Sequence, residues 1–225
     1  MNYFAHGWRF IDDPYFLAGT ALPDWLNVVD RKLRVRAKRA REFVDSPDPV
    51  VARLARGIVQ HHADDDWFHG TPAFAELSLE FARRVRDALP VDDGFRPHFL
   101  GHILVEILLD AELIAEHPDA LVTYYAAMDS LDGQRIAAAV AAIAPRPAEN
   151  LATFVGLFSR ERFLFDYADD AKLLFRLNQV MRRVGLPVLP AGFSHVLHTL
   201  RPIIRWRKLE LFDPKPSNSP SGETP

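Results

Sequence analysis

The segment Phe95-Arg96-Pro97-His98-Phe99-Leu100-Gly101-His102-Ile103-Leu104-Val105-Glu106-Ile107-Leu108-Leu109-Asp110 limits the possible folds more than any other part of the chain. At helical spacing it is apolar almost all round, so as a helix it must be surrounded by protein. Its polar residues His98, His102, Glu106 and Asp110 stand four apart. They form one stripe that drifts about 40° per step. A buried carboxylate without a partner costs several kcal/mol. The stripe must therefore meet cations or a metal, unless His102 and Glu106 satisfy each other.

A second stretch raises the same question. In Gly57-Ile58-Val59-Gln60-His61-His62-Ala63-Asp64-Asp65-Asp66-Trp67-Phe68-His69, three histidines and three aspartates crowd into residues 61–69. Upstream, Val51, Leu54 and Ile58 recur at helical spacing, and the same face continues through His61, Asp65 and His69. His62 and Asp66 form another i,i+4 pair, rotated by about 100°. Imidazoles and carboxylates on one inward line suit a divalent metal. The alternative is a solvated helix on which such a pair contributes only about 0.2–0.5 kcal/mol. The chain has no cysteine, so any metal must be held by His, Asp and Glu, and no disulfide framework exists.

The remaining chain reads as helix after helix, with no alternating strand run, repeat or glycine-rich phosphate loop. Asp13-Pro14 starts a helix expected to stop at Ala21, before Pro23, which leaves Asp24 as a cap or an inward ligand. Arg31 to Arg41 reads as one amphipathic basic helix, a solvated face or a landing patch for an acidic or phosphate-bearing partner. Ser46-Pro47-Asp48-Pro49 caps the helix of His61, and Thr71-Pro72 begins another that ends near Leu89, before a turn at Val91-Asp92-Asp93-Gly94. Helices are expected over Pro118–Leu131, Gln134–Ile143, Ala148–Tyr167, Asp169–Val184 and Phe193–Leu211. His195 and His198 have no carboxylate near them in sequence and are expected on the surface or in the core. The expectation is an all-α single domain over residues 1–212, with roughly eight to ten helices, and a disordered Pro- and Ser-rich tail over 213–225. Net charge is −3 over 225 residues, which gives no reason to expect nucleic acid or a membrane as partner. With neither a signal-like start nor a spanning apolar run, the default expectation is a cytoplasmic protein.

The ordered set His6, Asp24, His61, Asp65, His69, His102 and Asp110 resembles that of the acyl-carrier-protein phosphodiesterase family. The matching words are Asn2-Tyr3-Phe4-Ala5-His6, Leu17-Ala18-Gly19-Thr20-Ala21-Leu22-Pro23-Asp24, Gly57-Ile58 leading to His61 and Asp65, and Pro72-Ala73-Phe74. They cover about the first half of the chain. That family is regarded as a divergent relative of the HD-type metal phosphohydrolases. The Gly19 to Asp24 word is also similar to the signature of zinc-dependent phospholipase C-like proteins. His69 and Thr71 stand where the family pattern has an aspartate and a histidine. The resemblance implies an HD-like helical fold, a divalent ion (Mn, Zn, Fe or Mg) and a phosphate-ester substrate, with acyl carrier protein as the family's partner.

The leading functional expectation is therefore a metal-dependent phosphohydrolase acting on a phosphodiester or phosphomonoester, and the resemblance implies a phosphodiesterase. Its metal candidates are His6, Asp24, His61, Asp65, His69, His102 and Asp110. Asp65 and Glu106 are the candidates for the chemistry, and Arg96 or the basic run could hold the phosphate. Two other classes stay open. One is a non-catalytic helical protein with a buried His/Asp network or structural metal. The other is an iron oxygenase or oxidase built on a His/carboxylate site.

Overall fold

Proline fixes where most of the long helices begin. Its ring sets the backbone angle of the first helical turn, and its missing N–H is one that turn would leave unpaired anyway. Five helices start this way: α2 (Pro14–Val29), α4 (Pro49–His69), α5 (Pro72–Ala88), α6 (Pro97–Glu116) and α7 (Pro118–Asp129). Asp13, Asp48 and Thr71 cap α2, α4 and α5 by accepting backbone N–H groups of the first turn, as the sequence indicates. The other helices are α1 (Tyr3–Gly7), α3 (Ala37–Arg41), α8 (Gly133–Ile143), α9 (Leu151–Glu161), α10 (Asp170–Val184) and α11 (Phe193–Leu211). Short 3₁₀ segments run over Trp8–Phe10 and Phe163–Ala168. The structure, a computed structural model, describes residues 1–90 and 94–212. Within them it is all-α, without a strand, and one apolar core runs from Phe4 to Leu211. No helix among the described residues is long and apolar enough to cross a membrane. The expected turn at residues 91–93 and the expected tail from Asp213 lie outside the described residues.

Two helix–helix contacts position the site, and glycine permits both. α2 lies so close to α4 that a Cβ on Gly57 would stand 2.3 Å from the Phe16 carbonyl oxygen, and one on Gly19 2.5 Å from that of Leu54. α5 and α6 approach similarly, where a Cβ on Gly101 would stand 2.4 Å from the Ser78 carbonyl oxygen. As expected from its pattern, α6 is central, with Leu100, Leu104, Val105, Leu108 and Leu109 buried.

Four expectations are corrected. α2 does not stop before Pro23 but runs through it to Val29. An internal proline costs about 3 kcal/mol, yet Leu22 before it and Trp25 and Leu26 beyond it are all buried, and their burial outweighs that cost. Asp24 is thus mid-helix, one turn after Thr20 on the same face, not a cap. The basic run is not one helix. Leu33 and Val35 are buried at alternate positions, which is extended-chain spacing, and only Ala37–Arg41 is helical. Ala148–Tyr167 is broken at Arg162, where φ is 45°. Short pieces such as α1 and α3 raise the number of α-helices to eleven among the described residues.

Candidate metal centre

α1 packs against α2 and α6, and Asp110 of α6 holds it there. The Asp110 carboxylate is fully buried and accepts the backbone N–H of Phe4 (2.9 Å) and Ala5 (2.7 Å). Burial pushes its pKa up to about 7, against the lowering effect of those two N–H groups. With both oxygens engaged by backbone, Asp110 is a support for α1 and not the metal ligand expected from the sequence.

This placement brings His6 to the polar face of α4. His6, His61 and Asp65 converge there, each offering one ligand atom, all within 4.8 Å of one another. The two imidazoles stack with centroids 4.2 Å apart. His61 donates its Nδ1–H to the Thr20 carbonyl oxygen at 2.7 Å, a contact that the close approach of α2 and α4 makes available. His6 turns its Nδ1 to Asp64 Oδ2 at 3.2 Å, and Asp64 in turn accepts from the Gln60 amide. Both rings are therefore fixed through Nδ1, and both Nε2 atoms face Asp65, each 3.3 Å from a carboxylate oxygen. His6 Nε2 is buried there without a hydrogen-bond partner. A ring nitrogen orphaned beside a carboxylate, with its opposite nitrogen anchored, is the arrangement of metal-ligating histidines and their supporting groups. Burial alone would lower His6, but the carboxylates of Asp64 and Asp65 hold its pKa up at about 9. Burial opposes ionisation of Asp65 as well, yet the His6 and His61 rings hold its pKa well below the usual carboxylate range.

A second triad follows one turn further along α4. His69, His102 and Glu106 also place one ligand atom each within 4.8 Å of one another. His69 Nε2 is 2.8 Å and His102 Nε2 3.3 Å from Glu106 Oε1. Against the effect of burial, these rings bring Glu106 down to about 2. The Met1 ammonium lies between the triads, 2.7 Å from Asp65 Oδ1 and 3.2 Å from Glu106 Oε1. The two carboxylates thus share one cation, which links the triads. His102 and Glu106 do approach each other, as one reading of the stripe allowed, but the pair also recruits His69.

Beside this region opens a cavity of about 1010 Å³ whose lining includes Met1, Asp24, His102 and Glu106. Desolvation pushes the Asp24 carboxyl above the usual range, opposed by the nearby His61 and His6. Asp24 thus belongs to the site but stands outside both ligand triads. Arg96 does not join it. That residue is exposed at the start of α6 with φ 52° and is not part of the cavity lining. His62 turns away to the Val35 carbonyl oxygen at 2.9 Å, Asp66 is exposed, and His195 and His198 are surface residues in the first two turns of α11.

The sequence reading missed Asp64 and the Thr20 carbonyl as ring anchors. For Asp64 a signal existed, because it lies three residues after His61 and so on the same face. For Thr20 none did, since a backbone carbonyl has no sequence signature. No family model, curated protein or solved structure matches the chain, so the chemistry of these side chains carries the functional reading.

Proposed function

We propose that the protein is a metal-dependent phosphoric ester hydrolase, with phosphodiesters as its substrates. The observation that carries this reading is the pair of imidazoles, His6 and His61, locked through Nδ1 with both Nε2 atoms aimed at Asp65, next to an open cavity. His6, His61 and Asp65 would hold one divalent ion, and His69, His102 and Glu106 are placed to hold a second. An ion bound there would polarise a phosphoryl oxygen and lower the pKa of a bound water toward neutrality. Asp24 faces the same cavity with its carboxyl kept protonated more readily than usual, so it can give a proton to the leaving oxygen. Arg34 reaches Asn27 and Arg31 reaches the Arg183 carbonyl. Asn27 and Arg183 line the cavity, so this edge is basic and suits the acidic carrier-protein partner that the family resemblance implies.

The test is turnover of bis-p-nitrophenyl phosphate by protein purified without chelator or histidine tag, with Mn²⁺, Zn²⁺, Fe²⁺ or Mg²⁺ supplied in turn. Hydrolysis that requires one of these ions and stops on chelation is expected. Absence of any ion-dependent hydrolysis across mono- and diesters would overturn the proposal and favour a buried structural network.

A further inference from the structure

The cavity has two chemically different sides, and α6 supplies both. His98, His102 and Glu106 stand four apart on it, and immediately beside them run Phe99, Ile103 and Ile107, also four apart; all six line the cavity. The polar stripe leads to the Glu106 triad. The apolar stripe continues across the cavity onto Phe154, Leu157 and Phe158 of α9, while the α10 wall mixes Val180 and Val184 with Arg176, Gln179 and Arg183. Leu157 is 43% exposed at the rim. Ordinary small-molecule pockets hold about 300–1,000 Å³, so this one, at about 1010 Å³, is far larger than a phosphate group needs. A hydrolase of small polar esters has no use for an apolar chamber of that size, which would stand wet beside the reacting group.

From this two-sided lining we infer that the substrate is an amphiphile: a phosphate ester carrying one extended acyl or alkyl chain. Its phosphate lies at the His102–Glu106 end and its chain between the apolar faces of α6 and α9. This rests on the phosphohydrolase reading for the phosphate end, whereas the chain end rests on the apolar lining alone. The polar head and the apolar chain are separated along α6 by a single residue step, so one ligand can satisfy both stripes at once.

The experiment is calorimetric binding of ethyl-, hexyl- and decylphosphonate to the ion-loaded protein, alongside steady-state turnover of bis-p-nitrophenyl phosphate. Affinity should rise up to about threefold to fourfold for each added methylene until the chamber is filled. Leu157→Arg puts a charge at the exposed rim without touching the core. It should weaken decylphosphonate by at least about tenfold, as expected if a few methylenes are denied burial. Ethylphosphonate affinity and melting temperature should stay close to the wild type. Ion-dependent turnover combined with equal affinity for all three phosphonates would overturn the amphiphile inference and leave the hydrolase standing. Chain-length-dependent binding without turnover of any ester would overturn the hydrolase and support the apolar-chain site. Loss of ethylphosphonate binding in Leu157→Arg to the same degree as decylphosphonate would also overturn the inference, since the rim would then act on the head.

Discussion

The two triads use the same residue types and differ in what stands behind them. In the first, His6 and His61 are buried and each ring is pinned at Nδ1, by Asp64 and by the Thr20 carbonyl. In the second, the side chains of His69 and His102 are 32% and 44% exposed, and each meets only Glu106 among the hydrogen bonds and ion pairs of the described residues. A metal ligand gains from having its geometry fixed before the ion arrives, because the cost of ordering it falls on folding and not on binding. On the proposed reading the first triad would be the tighter site, and the second, whose His102 and Glu106 line the cavity, the exchangeable one.

The strongest attack on this difference is to remove the shared carboxylate of the first triad. Asp65→Asn keeps the volume and loses the ligand charge. Metal affinity measured by competition with a chromophoric chelator should fall by about 100-fold or more, beyond the 10–100-fold typical of outer-shell changes. Hydrolysis should fall at least about tenfold. Equal affinity in the variant would remove the site.

Support behind the ligand is tested next. Asp64→Ala leaves every proposed ligand in place and frees the His6 ring, and should weaken the tight site by about 10–100-fold. Glu106→Gln, in the exposed triad, should leave the tight-binding step intact and reduce turnover instead. If both variants weaken the same tight-binding step to the same degree, the distinction between the triads is lost.

A smaller effect concerns the helix that carries His6. Folded Asp110 titrates near 7 because it is buried, against about 3.9 in an unfolded chain. The folded state therefore binds more protons between these values. The stability contribution is complete below about pH 4 and declines as pH rises to about 7. Metal-free wild type should lose melting temperature over that interval, and Asp110→Asn should flatten the slope. An unchanged slope would mean that Asp110 is ionised throughout. The smallest effect is expected for His195→Ala. Its side chain is exposed on α11, and both metal affinity and turnover should match the wild type.

Much of this was legible in the chain. Periodicity placed α4, α5 and α6, and the Asp-Pro and Thr-Pro pairs gave their starts, because capping and proline geometry are local. The i,i+4 spacing of His61 with Asp65 and of His102 with Glu106 already put each pair on one face, and the same helices hold them in the structure. Local rules failed where burial overrode them, at Pro23, inside a helix whose later residues are core, and at Leu33 and Val35, whose alternate burial pulls a charged run out of helix.

What the sequence alone determined was the chemistry of the candidate ligands: without cysteine, any metal would have to be held by imidazole and carboxylate, and their spacing along α4 and α6 was fixed by helix geometry. Which of them share a site was decided by tertiary structure. His6 reaches Asp65 across 59 residues of chain only because Asp110, on a third helix, grips the backbone of α1. His61 finds the Thr20 carbonyl because Gly19 and Gly57 let two helices approach at backbone distance. Contacts of that kind depend on relative placement of elements distant in sequence, and no local pattern encodes them.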